Sequence, residues 1–330
     1  MKTKRTSLSD IAKALNVSKA TVSFVLNDKG DEFNISKKKQ ELVRAKAKEM
    51  SYVPNFFAKS LRQGETKTIG LVLPDISNPF YAELCKTIQE KLYEKGYTTF
   101  IINSNEDKAQ ETALMRGLIQ RCIDGMIIAP SNDIKELIPV LLETHIPVVF
   151  TDRRGDNDAD FVGINNVEEA EKLVESFTVK PKKITAFSPV ISEVSTISER
   201  IKGIESACKD RNISLNFETL SSNQSDVDEV VKRELKNGSD SFVALNSQTL
   251  FKVFSSLKTL GIEVPKDVKI ISFDDNEAYQ YMSPTVSAVR QPVVDLGVRS
   301  VERMLERLKK TKSAGEHFLL PCEFIARESH

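Results

Sequence analysis

The chain is 330 residues long, 40 % hydrophobic and 28 % charged, with 47 basic and 47 acidic side chains. That content suits a folded protein and excludes a disordered or low-complexity one. No apolar run approaches the ~20 residues of a membrane span and the N-terminus is polar rather than a signal sequence, so a cytoplasmic protein is expected. The zero net charge hides an asymmetry: residues 1–67 hold 15 basic and 7 acidic residues, the remainder 32 and 40. A small basic module on an acidic body points to a nucleic-acid footprint at one end. Cys85, Cys122, Cys208 and Cys322 lie far apart, with no C-x-x-C pair, and read as reduced structural thiols.

Residues 8–26, LSDIAKALNVSKATVSFVL, predict a helix-turn-helix. Ser7 caps the first helix, with Asp10 in its positive first turn and Leu8, Ile11, Ala12 and Leu15 on one face. Asn16-Val17 turns the chain, Ser18 caps the second helix, and Val22, Val25 and Leu26 point inward. Ser18, Lys19, Ala20, Thr21, Ser23 and Phe24 are left on the N-terminal end and outer face, the part of such a helix that enters a DNA major groove. Ser36 is placed to cap a third helix, with Leu42, Val43, Ala47 and Met50 as its core face, which breaks before Pro54. Asn55 then starts a helix of two turns, too short to stand without a partner.

From residue 68 onward short apolar strands (69–73, 98–102, 126–129, 148–151) alternate with helices near 80–95, 108–122 and 134–144. A second series has strands at 183–187, 217–220, 242–245 and 268–273, with helices near 193–211, 226–236 and 247–260. Such alternation implies two doubly wound parallel sheets with helices on both faces. Ligands of open α/β sheets bind at the carboxyl ends of strands. Those ends carry Asp75, Asn78, Phe80 and Tyr81, then Asp152-Arg153, Asn246 and Asp274, while Arg200 lies early in a helix. Carboxylates and amides pair with adjacent hydroxyls, and aromatic faces cover the C–H side of a sugar or stack on a base. The same residues also serve ordinary helix caps and turns.

Three segments, SLSDIAKALNVSKATVSFVLN, YVPNFFAKSLRQGETKTIGLVLPDISNPFYAEL and FDDNEAYQYMSPTVSAVRQP, resemble LacI/GalR-family transcriptional regulators in order and distance. The resemblance spans nearly the whole chain. It implies an all-α helix-turn-helix domain (1–54), a hinge helix and linker (55–67), and a bilobed periplasmic-binding-protein-like body (68–330). The N-lobe would hold 68–163 and 291–321, and the C-lobe 164–290 and 322–330, with the helix from Val293 returning to the N-lobe. It implies DNA contacts at Ser7, Ser18, Lys19, Ala20, Thr21, Ser23, Phe24 and Asn27, and at Asn55, Ala58 and Leu61 of the hinge. Leu61 would wedge into the minor groove, its unstacking cost offset by contacts to bent DNA. Arg200, Asn246 and Asp274 would contact an effector, with Phe80, Tyr81 and Asp152 beside them.

The family likeness implies a repressor that binds a near-palindromic double-stranded operator as a homodimer or tetramer, with a sugar or sugar derivative as effector and no cofactor, metal or membrane. A partner protein or a nucleobase is the alternative controller, and a solute-binding protein the remaining alternative. Four departures stand out. Phe24 occupies a base-reading position but offers a base no hydrogen bond, so it either touches a thymine methyl or packs away. The loop GDEFN (30–34) is about three residues longer than in common members, Ser247 follows Asn246 in place of an aspartate, and residues 184–200 lack the usual glycines. His145, His317 and His330 have no metal-ligand spacing, and no G-x-S-x-G, P-loop or G-x-G-x-x-G motif is present, so catalysis is not expected.

Overall fold

Residues 6–53, 64–131, 138–155, 158–189, 194–309 and 314–330 are described by the computed structural model. They divide into two units, Met1–Thr66 and Lys67–His330. The first holds α1 (Leu8–Leu15), α2 (Lys19–Leu26) and α3 (Lys37–Glu49). At α1 the Ser7 Oγ accepts from the Asp10 N–H at 3.3 Å while Asp10 accepts from the Ser7 N–H at 2.9 Å, so two orphan donors are satisfied reciprocally. Asn16 turns the chain at φ 51°, and the Ser18 Oγ caps α2 through the Thr21 N–H at 3.0 Å. Ile11, Ala12, Val22, Val25, Val43 and Ala47 form the core between the helices.

Two expectations for α3 fail. Ser36 stands at its N-cap but makes no side-chain cap bond. Leu42 is 52 % exposed, and Gln40 is buried instead, in phase with Val43 and Ala47. Its amide survives burial by donating to Asp31 Oδ1 and to the Ile35 carbonyl, both at 2.8 Å.

The second unit contains two six-stranded sheets. The N-lobe sheet runs β11 (His317–Leu319), β5 (Asp160–Gly163), β4 (Val148–Thr151), β3 (Gly125–Ile128), β1 (Thr68–Leu73), β2 (Thr98–Asn103). The C-lobe sheet runs β12 (Glu323–Ile325), β10 (Ser287–Arg290), β9 (Lys269–Phe273), β8 (Ser241–Ala244), β6 (Lys183–Ser188), β7 (Ser214–Thr219). Every pairing is parallel except β12 with β10, which is antiparallel. The order is therefore the same twice, with β1 to β5 matched by β6 to β10. Central strands such as β1, buried at all six positions, read as unbroken apolar runs because helices cover both faces.

Those helices are α4 (Pro79–Glu94), α5 (Lys108–Ile119), α6 (Ile138–Thr144), α7 (Asn166–Glu175), α8 (Ser195–Asp210), α9 (Gln224–Lys236), α10 (Ser247–Thr259) and α11 (Val293–Lys309). Four short strands (β5, β10, β11, β12) and α7 escaped the sequence reading, and β7 starts three residues before the expected 217.

The chain passes between lobes after β5, after β10 and after β11. Leu296, Val301 and Met304 of α11 pack with Ile69, Leu84 and Ile88 in the N-lobe core. A buried carboxylate fixes this return. Asp160 Oδ1 accepts from Arg303 Nε at 2.8 Å and from the Glu316 N–H at 2.9 Å, and Oδ2 accepts from Arg307 Nε. Burial opposes its charge, but Arg307, the Glu316 N–H and Arg303 outweigh that and hold the carboxyl below its ordinary value.

An acid lowered on folding stabilises fully above its unfolded value, about 4, and loses that contribution as pH falls through the folded one. Asp160→Asn is expected to cost about 3–5 kcal/mol in urea unfolding at neutral pH, since it removes the charge two guanidinium groups share. The deficit should shrink as pH drops below about 4, where Asp160 begins to be protonated in the unfolded chain before the folded one. A neutral-pH loss under about 1 kcal/mol, the scale of an exposed pair, would show that this carboxylate does not anchor α11.

Candidate functional site

Two sets of residues stand out, one in each unit. On the helix-turn-helix, Ser18, Lys19 and Ala20 are exposed at the N-terminal end of α2, where unsatisfied N–H groups and the helix dipole favour an anion. Thr21, Ser23, Phe24 and Asn27 are half-buried beside them, and Ser7 is exposed at the start of α1. Ser23 and Asn27 are tied, the Asn27 amide donating to the Ser23 carbonyl at 2.6 Å. The Phe24 ring stacks on Phe33, with centroids 3.6 Å apart and planes within 8°. Phe33 of the long 30–34 loop thus covers one face of Phe24. Asn55, Ala58 and Leu61 lie outside the described residues.

In the second unit a cavity of about 100 Å³ opens between the lobes. All eight residues picked from the strand ends and α8 line it, although they come from five stretches of chain. Asp75, Asn78, Phe80 and Tyr81 arrive from the β1–α4 connection, Asp152 from the end of β4, and Asn246 and Asp274 from the ends of β8 and β9. Asn78 and Asn246 also cap α4 and α10, accepting from the Phe80 and Thr249 N–H groups at 3.1 and 2.8 Å.

Buried polar pairs hold the wall. The Tyr81 hydroxyl donates to Asp152 Oδ2 at 2.6 Å. Burial pushes the Asp152 carboxyl up, with Arg153, Tyr81 and Arg200 opposing. Burial likewise drives the Tyr81 hydroxyl well above its ordinary value, so it stays a donor. On the other lobe Arg200 Nη1 and Nη2 donate to Asp274 at 3.2 and 3.3 Å, Nη1 to the Leu245 carbonyl at 2.7 Å, and Nε to Asn166 at 2.9 Å.

Further residues complete the lining. Arg153, read with Asp152 at the end of β4, forms a bidentate pair with Glu106 at 2.7 and 2.8 Å. Gln248 donates across the cleft to Asp75 at 3.2 Å, and Gln291 donates to Asp274 at 2.6 Å. Gln291 follows β10, a strand too short to read, and Glu106 sits in a loop at φ 57°, so neither carried a pattern signal. Among the described residues no group of His, Cys, Asp and Glu is arranged to hold a metal ion.

Residues 7–55 match the family described as bacterial regulatory proteins, lacI family, and residues 183–330 match the periplasmic binding protein-like domain. The HTH-type transcriptional regulator DegA of Bacillus subtilis is 31 % identical over 98 % of this chain and 98 % of its own length. The chain belongs to the LacI family. The lac repressor dimer bound to operator and the anti-inducer ONPF shares the fold of this LacI-family chain over 99 % of both, with a TM-score of 0.83 at 20 % identity. A LacI family transcriptional regulator from Enterococcus faecalis V583, with bound ribose, covers 79 % of the chain and 98 % of its own length at TM-score 0.70 and 25 % identity. This LacI-family protein is a DNA-binding transcriptional regulator and not an enzyme. Among its described residues no helix is long and apolar enough to cross a membrane.

The Phe24–Phe33 pair is open to direct measurement. A double-mutant cycle with Phe24→Ala and Phe33→Ala, read by thermal unfolding of the full chain, should give a coupling of about 0.5–1.5 kcal/mol. Strict additivity would mean that the two rings stabilise the fold independently and that the loop does not hold Phe24.

Proposed function

We propose that this regulator represses transcription by binding a near-palindromic operator as a homodimer, with a small sugar-like metabolite in the interlobe cavity setting its affinity. The observation that carries the effector half is the convergence of the strand-end residues on one cavity, each lobe contributing a buried aspartate. The bound ribose of the Enterococcus faecalis relative agrees with a pentose- or hexose-sized ligand. Ser7, Ser18, Lys19, Ala20, Thr21, Ser23, Phe24 and Asn27 form the proposed operator face, with Lys19 as its exposed cation. Asn55, Ala58 and Leu61 are assigned to the operator centre on family resemblance.

Pairing of two copies is supported by the edge strand β2. It ends the N-lobe sheet, and its Phe100 and Ile101 are 45 % and 41 % exposed, with Tyr93 at 80 % on the preceding helix. An apolar, unpaired strand edge is a site that a second chain covers. Two-fold pairing also places two recognition helices on two half-sites.

The full chain, titrated by fluorescence anisotropy against an operator selected from random duplexes, tests the reading. A cognate sugar should change operator affinity by about 5–150-fold, the range of allosteric coupling; identical affinities with every sugar that binds would end the effector role. Lys19→Ala should cost about 1–3 kcal/mol of operator affinity and relax base choice at one position per half-site. A uniform loss across sequences, with a salt slope shallower by about one, would move Lys19 from the bases to a phosphate.

A further inference from the structure

Every cation among the described residues lining the interlobe cavity is already committed to a carboxylate. Arg153 is clamped by Glu106, and Arg200 by Asp274. Four carboxylates (Asp75, Glu106, Asp152, Asp274) line the cavity with these two guanidinium groups, so an excess of negative charge remains even if Asp152 is protonated. Two further atoms bear on what fits. Gln291 is 5 % exposed and Arg153 7 %, and the Gln291 Oε1 acceptor and the Arg153 Nε donor are both buried without a hydrogen-bond partner. Leaving such atoms unpaired is costly, and both side chains line the cavity.

We propose that the effector is an uncharged polyhydroxy compound and that sugar phosphates and sugar acids are excluded by the charge of this cavity. The proposal rests on the effector reading above and narrows it to one chemical class. A hydroxyl both donates and accepts, so it can pair with the carboxylates of the wall and, where a side chain turns toward it, with Gln291 Oε1 or Arg153 Nε. The hydroxyls of a sugar phosphate or sugar acid pair equally well, but its ionised group has no hydrogen to give a carboxylate and meets the unmatched carboxylates at close range. A single water needs about 10–15 Å³ of such space, so the cavity of about 100 Å³ accepts several ligand atoms and suits a monosaccharide.

The test uses the full chain and three matched pairs in thermal-shift and calorimetric titrations: D-ribose with ribose 5-phosphate, D-glucose with glucose 6-phosphate, and D-galactose with galacturonate. At least one neutral member should bind, with its anionic partner at least tenfold weaker. An anion that binds as tightly as its neutral partner, or more tightly, overturns the charge rule while leaving a small-molecule effector in place. If no member of any pair binds, the sugar reading falls, and millimolar inorganic phosphate decides the charge rule separately. Phosphate that stabilises Glu106→Gln, in which Arg153 is freed, and leaves wild type unmoved supports the rule. Phosphate that stabilises wild type as much as the variant overturns it.

Discussion

A guanidinium with 3 % of its surface exposed has to be neutralised where it sits, and Arg200 is neutralised by parts of the C-lobe far apart in sequence. Its side chain on α8 binds the first residue of α7, the carbonyl that ends β8 and the carboxylate that follows β9, and it lies 3.7 Å over the Phe273 ring. One buried charge therefore fixes the relative positions of two helices and two strand ends. Gln291, the residue that leads into α11, joins the same carboxylate. The wall of the cleft and the crossing back to the N-lobe are in this way set by one hydrogen-bonded cluster.

The duplicated strand order gives that cluster a counterpart. Asp152 follows β4 and Asp274 follows β9, equivalent strands of the two sheets, and both residues hold left-handed φ values of 61° and 67°. Non-glycine residues in that region are uncommon, and aspartate tolerates it better than most. The same bend turns each carboxylate into the cleft, yet the lobes treat it differently. Asp152 takes a neutral phenol from Tyr81, whereas Asp274 takes a guanidinium and an amide. A near-symmetric scaffold thus presents an asymmetric surface, as recognition of an asymmetric molecule requires.

Much of this was legible because the physics that builds it is local. Central parallel strands have to be apolar throughout, so β1, β3 and β8 announce themselves, and the topology of open α/β sheets puts function at their carboxyl ends. The missed strands β11 and β12 have three residues each and lie at sheet edges, where neither burial nor length leaves a pattern. The core of α3 was misread for a related reason. Gln40 is buried because its amide finds Asp31 and the Ile35 carbonyl after the chain has folded, and hydropathy has no access to that event. Phe24 is similar: its partner Phe33 sits nine residues on, in a loop whose conformation no periodicity encodes.

The lobes are joined by three chain crossings and, among the described residues, by side-chain ties across the opening. Arg154 Nε meets Glu199 at 2.9 Å, the Arg154 N–H meets Ser195 Oγ at 2.9 Å, and Gln248 meets Asp75. The Arg154–Glu199 pair is 29 % and 20 % exposed, so the water both ions give up offsets much of their attraction. In the proposed mechanism a ligand shifts the lobes between open and closed arrangements only through its differential affinity for the two. A molecule gripped by one lobe alone binds both arrangements equally and shifts nothing, however tightly it binds. One that reaches the Asp152 side and the Asp274 side together distinguishes them, and that is the physical reason for a regulator to build its site from both lobes.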